Sequence, residues 1–238
     1  MKKNPRKIVA VILAAGKGTR AGSILKQFIP VAGTPIIQYS LRVFLEHPSI
    51  DSVLVVIPRG KGREAKKALG IFGTNKKINL IEGGDTRYHS SLNALIALEK
   101  KGAPPDTVLI HDAVRPLISK EDVDSLLTSS NKHGAALLGI PAIETIGAGK
   151  NNFIHSVPKR DGLFYTFTPH AYSFNILRQA YKLHEQSGSQ ECPENSELVS
   201  SAGTKICLVE TRKPNIKLTY PEDIDTLNSI LSKQKGEV

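Results

Sequence analysis

The sequence predicts an α/β domain of the Rossmann-like type, with a mostly parallel sheet and helices on both of its faces. Continuous apolar runs recur along residues 8–141, and each is separated from the next by a stretch with apolar residues at steps of three and four. Unbroken apolar strands that alternate with amphipathic helices are typical of parallel sheets buried on both faces. We expect residues 1–238 to form one domain of this kind.

The predicted elements follow one another regularly until residue 141. Strands are predicted at residues 8–15, 51–58, 78–83, 106–112 and 134–141, and helices at residues 34–46, 62–69, 87–100 and 120–132. Residues 142–168 break this alternation with short β-prone pieces and turn residues, which predicts a β-hairpin arm that protrudes from the sheet. Arms of this kind commonly join two identical subunits, so we expect a homodimer.

The composition excludes several classes of protein. The chain has 238 residues, 40% of them hydrophobic, which is enough for a sizeable core. Its net charge of +10 would suit nucleic acid, an anionic membrane or a small phosphorylated ligand, but the cations are scattered and tryptophan is absent. We therefore expect no nucleic-acid or membrane partner. The basic N-terminus resembles neither a signal peptide nor a membrane span, which predicts a cytoplasmic protein, and the two cysteines lack metal-site spacing.

The first strand leads into a glycine-rich, basic loop. Gly16 and Gly18 allow the backbone to bend and bring N–H groups against phosphate oxygens, and Lys17, Arg20 and Lys26 supply positive charge. This pattern predicts a site for a polyphosphate. A dinucleotide-binding loop is disfavoured because the second strand ends in Pro-Arg rather than in an acidic residue, and a Walker loop lacks its first glycine.

Two further strand ends carry polar motifs. Gly83 and Gly84 precede a helix that starts with Asp85, Arg87 and Ser90, which fits either a ligand loop or an ordinary turn with a helix cap. In "HDAVRP", Asp112 offers a hard oxygen ligand for Mg²⁺ and Arg115 can bind a phosphate, although the two could also form a surface ion pair. His111 is predicted to be a supporting hydrogen-bonding residue. Because ligands of parallel sheets bind beyond the carboxyl ends of the strands, we expect these motifs to meet.

Five motifs in order carry a resemblance across nearly the whole chain. They are "LAAGKGTR…LKQF…GTPIIQYSL", "GGDTR", "HDAVRP", "TP…F" and "NIKLTYPEDI". Together they resemble the 2-C-methyl-D-erythritol 4-phosphate cytidylyltransferase family and its relatives, the ribitol-5-phosphate cytidylyltransferases. The resemblance implies a nucleotidyltransferase-type fold and a Mg²⁺-dependent homodimer that joins CTP to a polyol phosphate, giving a CDP-alditol and pyrophosphate.

The resemblance also implies roles for individual residues. The nucleotide would be bound by Ala14, Ala15, Gly16, Lys17, Gly18, Gly84, Asp85 and Ser90. The catalytic cations would be Arg20, Lys26 and Lys217, and Asp112 would hold Mg²⁺. The acceptor would be bound by Arg115, Thr145, Arg160, Thr168 and Lys217, with Thr145 and Arg160 reaching it from the neighbouring subunit.

The chain departs from the family pattern near the acceptor. Leu25 replaces a proline, and the usual "QTPQ" becomes "FTPH", with Phe167 and His170 in place of the glutamines. In residues 191–198 the usual acidic "TDDA" is replaced, which leaves Glu194 or Glu197 as the carboxylate. Altered polar groups can alter acceptor choice. Ribitol 5-phosphate or another polyol phosphate is therefore an alternative acceptor, and a non-catalytic CTP-binding protein is the alternative of another class.

Overall fold

A seven-stranded sheet with helices on both faces forms the body of the protein in the computed structural model, which describes residues 6–16, 25–70, 76–100, 102–211 and 214–236. The strands are β1 (Ile8–Leu13), β2 (Pro30–Val31), β3 (Thr34–Pro35), β4 (Ser52–Ile57), β5 (Lys77–Glu82), β6 (Thr107–Asp112), β7 (Ala135–Pro141), β8 (Ala148–Lys150), β9 (Phe153–Ser156), β10 (Phe164–Ser173) and β11 (Cys207–Glu210). The helices are α1 (Ile37–Glu46), α2 (Gly62–Leu69), α3 (Arg87–Glu99), α4 (Lys120–His133), α5 (Phe174–Gln186), α6 (Asn195–Ser201) and α7 (Asp223–Gly236).

The main sheet has the strand order β11-β7-β10-β6-β1-β4-β5. Strands β6, β1, β4 and β5 are mutually parallel, and β11 is parallel to β7. Strand β10 runs antiparallel to both of its neighbours. The predicted α/β class and mostly parallel sheet are therefore confirmed, with one antiparallel strand inserted between two parallel groups.

Two apolar cores lie on opposite faces of this sheet. On β1, Ala10 and Ile12 pack with α1, α2 and α4, whereas Val9 and Val11 pack with α3, α5 and α6. Both sets of side chains are buried, which explains why the strand reads as an unbroken apolar run. A third, smaller cluster joins α7 to the β2–β3 hairpin through Val31, Leu227 and neighbouring residues.

Helix boundaries follow local capping chemistry. Ser119 and Asp122 form a capping box at the start of α4, and Gly134 ends that helix with a φ of 85°. The predicted start of the first helix at Thr34 is wrong, because residues 34–35 pair with residues 30–31 around a turn at Ala32 and Gly33, both with positive φ. Helix α1 begins only at Ile37.

The predicted arm contains a two-stranded antiparallel hairpin made of β8 and β9. Asn151 and Asn152 form its turn with φ values of 52° and 66°, and every residue of both strands is exposed. The arm is shorter than predicted, because residues 164–167 already pair with residues 138–141 in the main sheet. Among the described residues, none of the helices is long and apolar enough to cross a membrane.

Candidate active site

A cleft of about 390 Å³ opens where the carboxyl ends of β1, β5 and β6 meet. It is lined by Leu13, Ala14, Ala15, Gly16, Gln27, Gly84, Asp85, Thr86, Arg87, Ser90, Asp112, Val114 and Lys217. The cleft therefore brings together residues from all three strand ends that the sequence singled out. This is the place at which open parallel sheets bind ligands.

Hydrogen bonds from the side chain of Gln27 hold the backbone of the loop after β1 in place. The buried side chain of Gln27 donates from Nε2 to the carbonyl oxygens of Ala14 and Gly16, at 2.6 and 3.3 Å. Gln27 was not predicted to be part of the site, because a single glutamine that follows a lysine does not by itself indicate a buried residue. Three predicted phosphate-binding residues of this loop, Lys17, Gly18 and Arg20, lie outside the described residues.

The loop after β5 packs closely against the first loop and against α3. A Cβ atom on Gly83 would collide with the side chains of Ala15 and Ser90, which explains why glycine is required there. The backbone N–H of Gly84 donates to Ser90 Oγ at 3.1 Å. Thr86 caps α3 by accepting from the N–H of His89. The turn with a helix cap is therefore present, and it forms one wall of the cleft.

Asp112 lies at the centre of a cluster of cations. Its Oδ1 accepts hydrogen bonds from Arg87 Nε and Nη2 at 3.2 and 3.1 Å. Its Oδ2 accepts one from Lys217 Nζ at 3.0 Å and lies 3.5 Å from Arg115 Nε. Burial alone would raise the pKa of Asp112, but the surrounding cations hold it well below its usual range. The carboxylate is therefore ionised at every pH at which an enzyme ordinarily works.

A second layer of hydrogen bonds fixes this cluster. The backbone N–H of Asp112 donates to Thr168 Oγ1 at 2.9 Å, and Asn215 Nδ2 donates to the Thr168 carbonyl at 3.0 Å. Arg115 Nη1 donates to the Asn215 carbonyl at 2.6 Å. Asn215 is 2% exposed and was also missed in the sequence, because its contacts lie 47 to 100 residues away along the chain.

Both predicted catalytic lysines involve segment 217–219, which contains Lys217 and accepts a hydrogen bond from Lys26. Lys26 Nζ donates to the carbonyl oxygen of Thr219, two residues beyond Lys217. Lys217 itself lines the cleft and pairs with Asp112. Segment 215–219 therefore connects the loop after β1 with the end of β6.

Arg87 makes two ion pairs that were not predicted. It bonds Asp112 at one end of its guanidinium and Glu194 Oε2 at the other. Burial would lower the pKa of Arg87, but these two carboxylates raise it. For Arg115, burial outweighs the opposing effect of Asp112, so the pKa of Arg115 is lowered. The sequence left either Glu194 or Glu197 as the carboxylate of this segment. In the structure, Glu194 is the one that pairs with Arg87.

Two predicted acceptor-binding residues lie apart from the cleft of their own chain. Thr145 and Arg160 belong to the arm and are exposed, and neither lines the cleft. Arg160 Nη1 donates to the carbonyl oxygen of Ile143, another arm residue, at 2.6 Å. Their assignment to a neighbouring subunit's site stays a prediction.

Two buried histidines lie beside the charged cluster. His111 Nε2 lies 3.0 Å from the carbonyl oxygen of Arg115, and His170 Nδ1 lies 3.0 Å from the hydroxyl of Tyr172. Burial lowers the pKa of His111 to about 4 and that of His170 to about 3. Both rings are therefore neutral in the folded protein near neutral pH. The contact of His111 supports its predicted role as a hydrogen-bonding partner.

These histidines predict an acid-sensitive stability. An unfolded histidine binds a proton below about pH 6.5, whereas the folded ones do not, so stability is lost as pH falls from about 6.5 toward the folded pKa. When the pH falls from 7.5 to 5, each of the two histidines should lower the free energy of unfolding by about 2 kcal/mol. We expect His170→Gln, which introduces the glutamine of the pattern "QTPQ", to remove the contribution of one histidine to this loss of stability, as measured by urea unfolding at each pH. An unchanged pH dependence would contradict this, and His133→Gln on the surface is the control.

Two carboxylates line this cleft, the buried Asp112 and the exposed Asp85, and Asp112 lies at its charged centre. Within the described ranges, no group of three or more histidine, cysteine, aspartate or glutamate side chains could hold a metal ion. A single buried carboxylate does fit Mg²⁺ if phosphate oxygens and water complete the coordination, as is common in nucleotide sites. The donor set therefore suits a metal that arrives with a nucleotide.

Comparison with known proteins decides the family. The sequence profile of the 2-C-methyl-D-erythritol 4-phosphate cytidylyltransferases matches residues 8–233. The chain belongs to this cytidylyltransferase family. Enzymes of that name from Petrotoga mobilis and Thermosipho africanus are 36% and 34% identical over 224 and 218 residues, which cover 94% and 91% of this chain and 97% and 95% of theirs.

Solved structures of cytidylyltransferases agree with this assignment. The 4-diphosphocytidyl-2C-methyl-D-erythritol synthase of Anaerococcus prevotii superposes with a TM-score of 0.81 at 25% identity, covering 96% of this chain and all of the other. The 2-C-methyl-D-erythritol 4-phosphate cytidylyltransferase of Thermus thermophilus gives 0.74 at 26% identity, with 93% and 98% covered. The nucleotidyltransferase-type fold predicted for the cytidylyltransferase family is thereby confirmed.

Proposed function

We propose that the protein joins CTP and 2-C-methyl-D-erythritol 4-phosphate, giving the CDP-alditol and pyrophosphate in isoprenoid precursor synthesis. The observation that carries this proposal is the cleft of a cytidylyltransferase family member in which two glycine loops face a buried carboxylate among three cations. A neutral ligand would leave this excess of positive charge uncompensated. A triphosphate together with a phosphate acceptor supplies the missing negative charge.

The reaction is an in-line displacement at the α-phosphorus of CTP. A phosphate oxygen of the acceptor forms the new P–O bond, and the bond to the bridging oxygen of the β-phosphate breaks, so that pyrophosphate leaves. Negative charge builds up around the α-phosphorus, where Lys26 and Lys217 would stabilise it. Both ammonium groups are tied to segment 217–219 or to Asp112, so they are oriented before substrate arrives.

Asp112 would hold Mg²⁺ together with oxygens of the triphosphate. When bound, the cation would neutralise phosphate charge and orient the leaving pyrophosphate. Arg20, Lys17 and Gly18 are proposed to contact the triphosphate alongside the backbone of Ala14 and Gly16. Because Asp112 is the one buried carboxylate among the described residues that line the cleft, we expect Mg²⁺ to bind tightly only in the presence of CTP.

The loop after β5 is proposed to read the cytosine and ribose. Gly84, Asp85 and Ser90 line the cleft, and Gly84 is fixed by its hydrogen bond to Ser90. A wall built from backbone so close to the first loop would leave room for a pyrimidine and exclude the larger purines.

The arm is proposed to join two subunits. Exposed large apolar side chains cluster on it and at its base, namely Ile143, Phe153, Ile154, Val157 and Tyr165, with exposures from 39% to 73%. Apolar patches of this kind are typical of protein interfaces. In a homodimer, Thr145 and Arg160 would reach the acceptor phosphate in the neighbouring subunit's cleft, next to Arg115 and Thr168.

This arrangement predicts a selective effect of Arg160→Ala. We expect the KM for the acceptor to rise at least about tenfold, with little change in the KM for CTP, because a guanidinium–phosphate contact would be lost. Lys159→Ala is the matched control, as it removes a neighbouring exposed cation. Mixed dimers with a Lys26→Ala subunit should regain activity at one site. Equal effects on both substrates would show that the arm does not bind the acceptor.

The acceptor is tested by comparing kcat/KM for 2-C-methyl-D-erythritol 4-phosphate, ribitol 5-phosphate and other polyol phosphates. We expect a preference of at least about a hundredfold for methylerythritol phosphate over the others, since a site that hydrogen-bonds particular hydroxyls discriminates strongly. Preference for ribitol 5-phosphate would show that the protein catalyses the reaction of the ribitol-5-phosphate cytidylyltransferases instead. CTP binding without turnover on any acceptor would indicate a non-catalytic protein.

A further inference from the structure

Arg87 connects the central carboxylate to the segment before α6. Its Nε and Nη2 donate to Asp112 Oδ1, while Nη1 donates to Glu194 Oε2. Arg87 is 25% exposed and Glu194 is 58% exposed, so the link runs from the floor of the cleft to its rim. Glu194 is also the N-cap residue of α6, where its backbone N–H donates to Glu197 Oε2 at 3.4 Å. The guanidinium is thus held by a carboxylate at each end.

The two oxygens of Asp112 face different cations. Oδ1 accepts from Arg87, whereas Oδ2 faces Lys217 and Arg115. A divalent cation that uses Oδ1 would have to approach a guanidinium of the same sign at hydrogen-bonding distance, and like charges at that distance repel strongly. Binding of the cation to this oxygen therefore requires Arg87 to move away from Asp112.

Glu194 gives Arg87 a partner that it can keep when it leaves Asp112. Because Arg87 itself lines the cleft, the N–H groups released from Asp112 can donate to phosphate oxygens of the arriving nucleotide. Arg87 therefore has two positions available to it. In both it pairs with Glu194, and its other N–H groups donate either to Asp112 or to phosphate.

We propose that Arg87 is a positioning residue that holds Asp112 in the nucleotide-free protein and that, while keeping its ion pair with Glu194, exchanges Asp112 for phosphate when a divalent cation binds with CTP. This inference rests on the proposed function, which requires the cation. It makes Glu194 a determinant of metal affinity, because Glu194 is the carboxylate with which Arg87 stays paired once it has released Asp112.

The test is direct binding of Mn²⁺ in the presence of the non-reacting analogue cytidine 5′-(α,β-methylene)triphosphate, followed by the electron paramagnetic resonance signal of free Mn²⁺. We expect Glu194→Gln to weaken Mn²⁺ binding about fivefold, the effect of losing a partly exposed ion pair. Glutamine can still cap α6. Glu191→Gln, an equal charge change at a nearby exposed position, is the control and should leave binding unchanged.

A second variant separates this exchange from a general charge effect. In an Arg87→Met background, whose folding is checked by thermal unfolding, Glu194→Gln should no longer weaken Mn²⁺ binding, because no guanidinium remains to be shared. An unchanged affinity in Glu194→Gln, or the same loss with and without Arg87, would overturn the inference while the proposed function stands. Failure of the unmodified protein to bind Mn²⁺ with the analogue would overturn both.

Discussion

Replacing Asp112 by asparagine is expected to lower kcat by at least about a hundredfold while the protein stays folded. Asparagine keeps the shape of the side chain but removes the charge that would hold Mg²⁺ and that orients Lys217. Loss of that charge also leaves Arg87, Arg115 and Lys217 near one another without their shared carboxylate. The rate of pyrophosphate release at saturating CTP and acceptor measures the effect.

Two controls make the result for Asp112→Asn specific. Asp225→Asn changes the same charge at an exposed position of α7 and should not affect kcat. Circular dichroism and thermal unfolding show whether the asparagine variant is folded, since a cluster of cations without its partner destabilises a protein by about 3–5 kcal/mol. Activity of the folded variant within a few fold of the original would mean that Asp112 is not the metal ligand.

Replacing Lys26 by alanine is expected to lower kcat by at least about a hundredfold as well. Its ammonium group is placed beside segment 217–219 by the hydrogen bond to the Thr219 carbonyl, two residues beyond Lys217, the other lysine proposed to be catalytic. Because the charge it stabilises develops in the transition state, kcat should fall much more than the affinity for CTP. Stopped assays of pyrophosphate release and equilibrium binding of CTP separate the two quantities.

Lys67→Ala on the exposed face of α2 is the matched control for Lys26→Ala. It removes one lysine from the same strongly basic chain and should leave kcat unchanged. Lys26→Arg tests geometry, since it keeps the charge but not the compact ammonium, and we expect only partial activity. Near-normal turnover of Lys26→Ala would show that charge stabilisation comes from other groups.

The fold was predictable because both faces of the sheet are buried. Strands β1, β4, β6 and β7 read as apolar runs of mostly buried residues, the edge strand β5 is partly exposed, and the helices between the strands show clear amphipathic spacing. The β2–β3 hairpin was missed because each strand has two residues, too few for a period to show. The end of the arm was misplaced because Phe164 to Thr168 mix exposed and buried positions where β10 pairs with β7 but not yet with β6.

The candidate site was predictable where it depends on strand ends. Gly16, Gly84 and Asp112 follow or end parallel strands, so the topology itself brings them to one edge. The contacts of Arg87, Glu194 and Asn215 with the Asp112 cluster were not predicted, because each contact joins distant parts of the chain; Arg87 and Glu194 are separated by 107 positions. No local pattern marks such a pair. Arg87 was noticed beside Asp85 at the start of the predicted helix, but its ion pairs with Asp112 and Glu194 were not predicted.

The most direct test of the proposed reaction is the initial rate of pyrophosphate release from CTP with 2-C-methyl-D-erythritol 4-phosphate and Mg²⁺. We expect rapid release with all three components, formation of one CDP-alditol for each pyrophosphate, and loss of both when acceptor or Mg²⁺ is omitted. Asp112→Asn should reduce this rate to near background under the same conditions. No acceptor-dependent release with the folded, unmodified protein would contradict the assignment of a cytidylyltransferase reaction to this cleft.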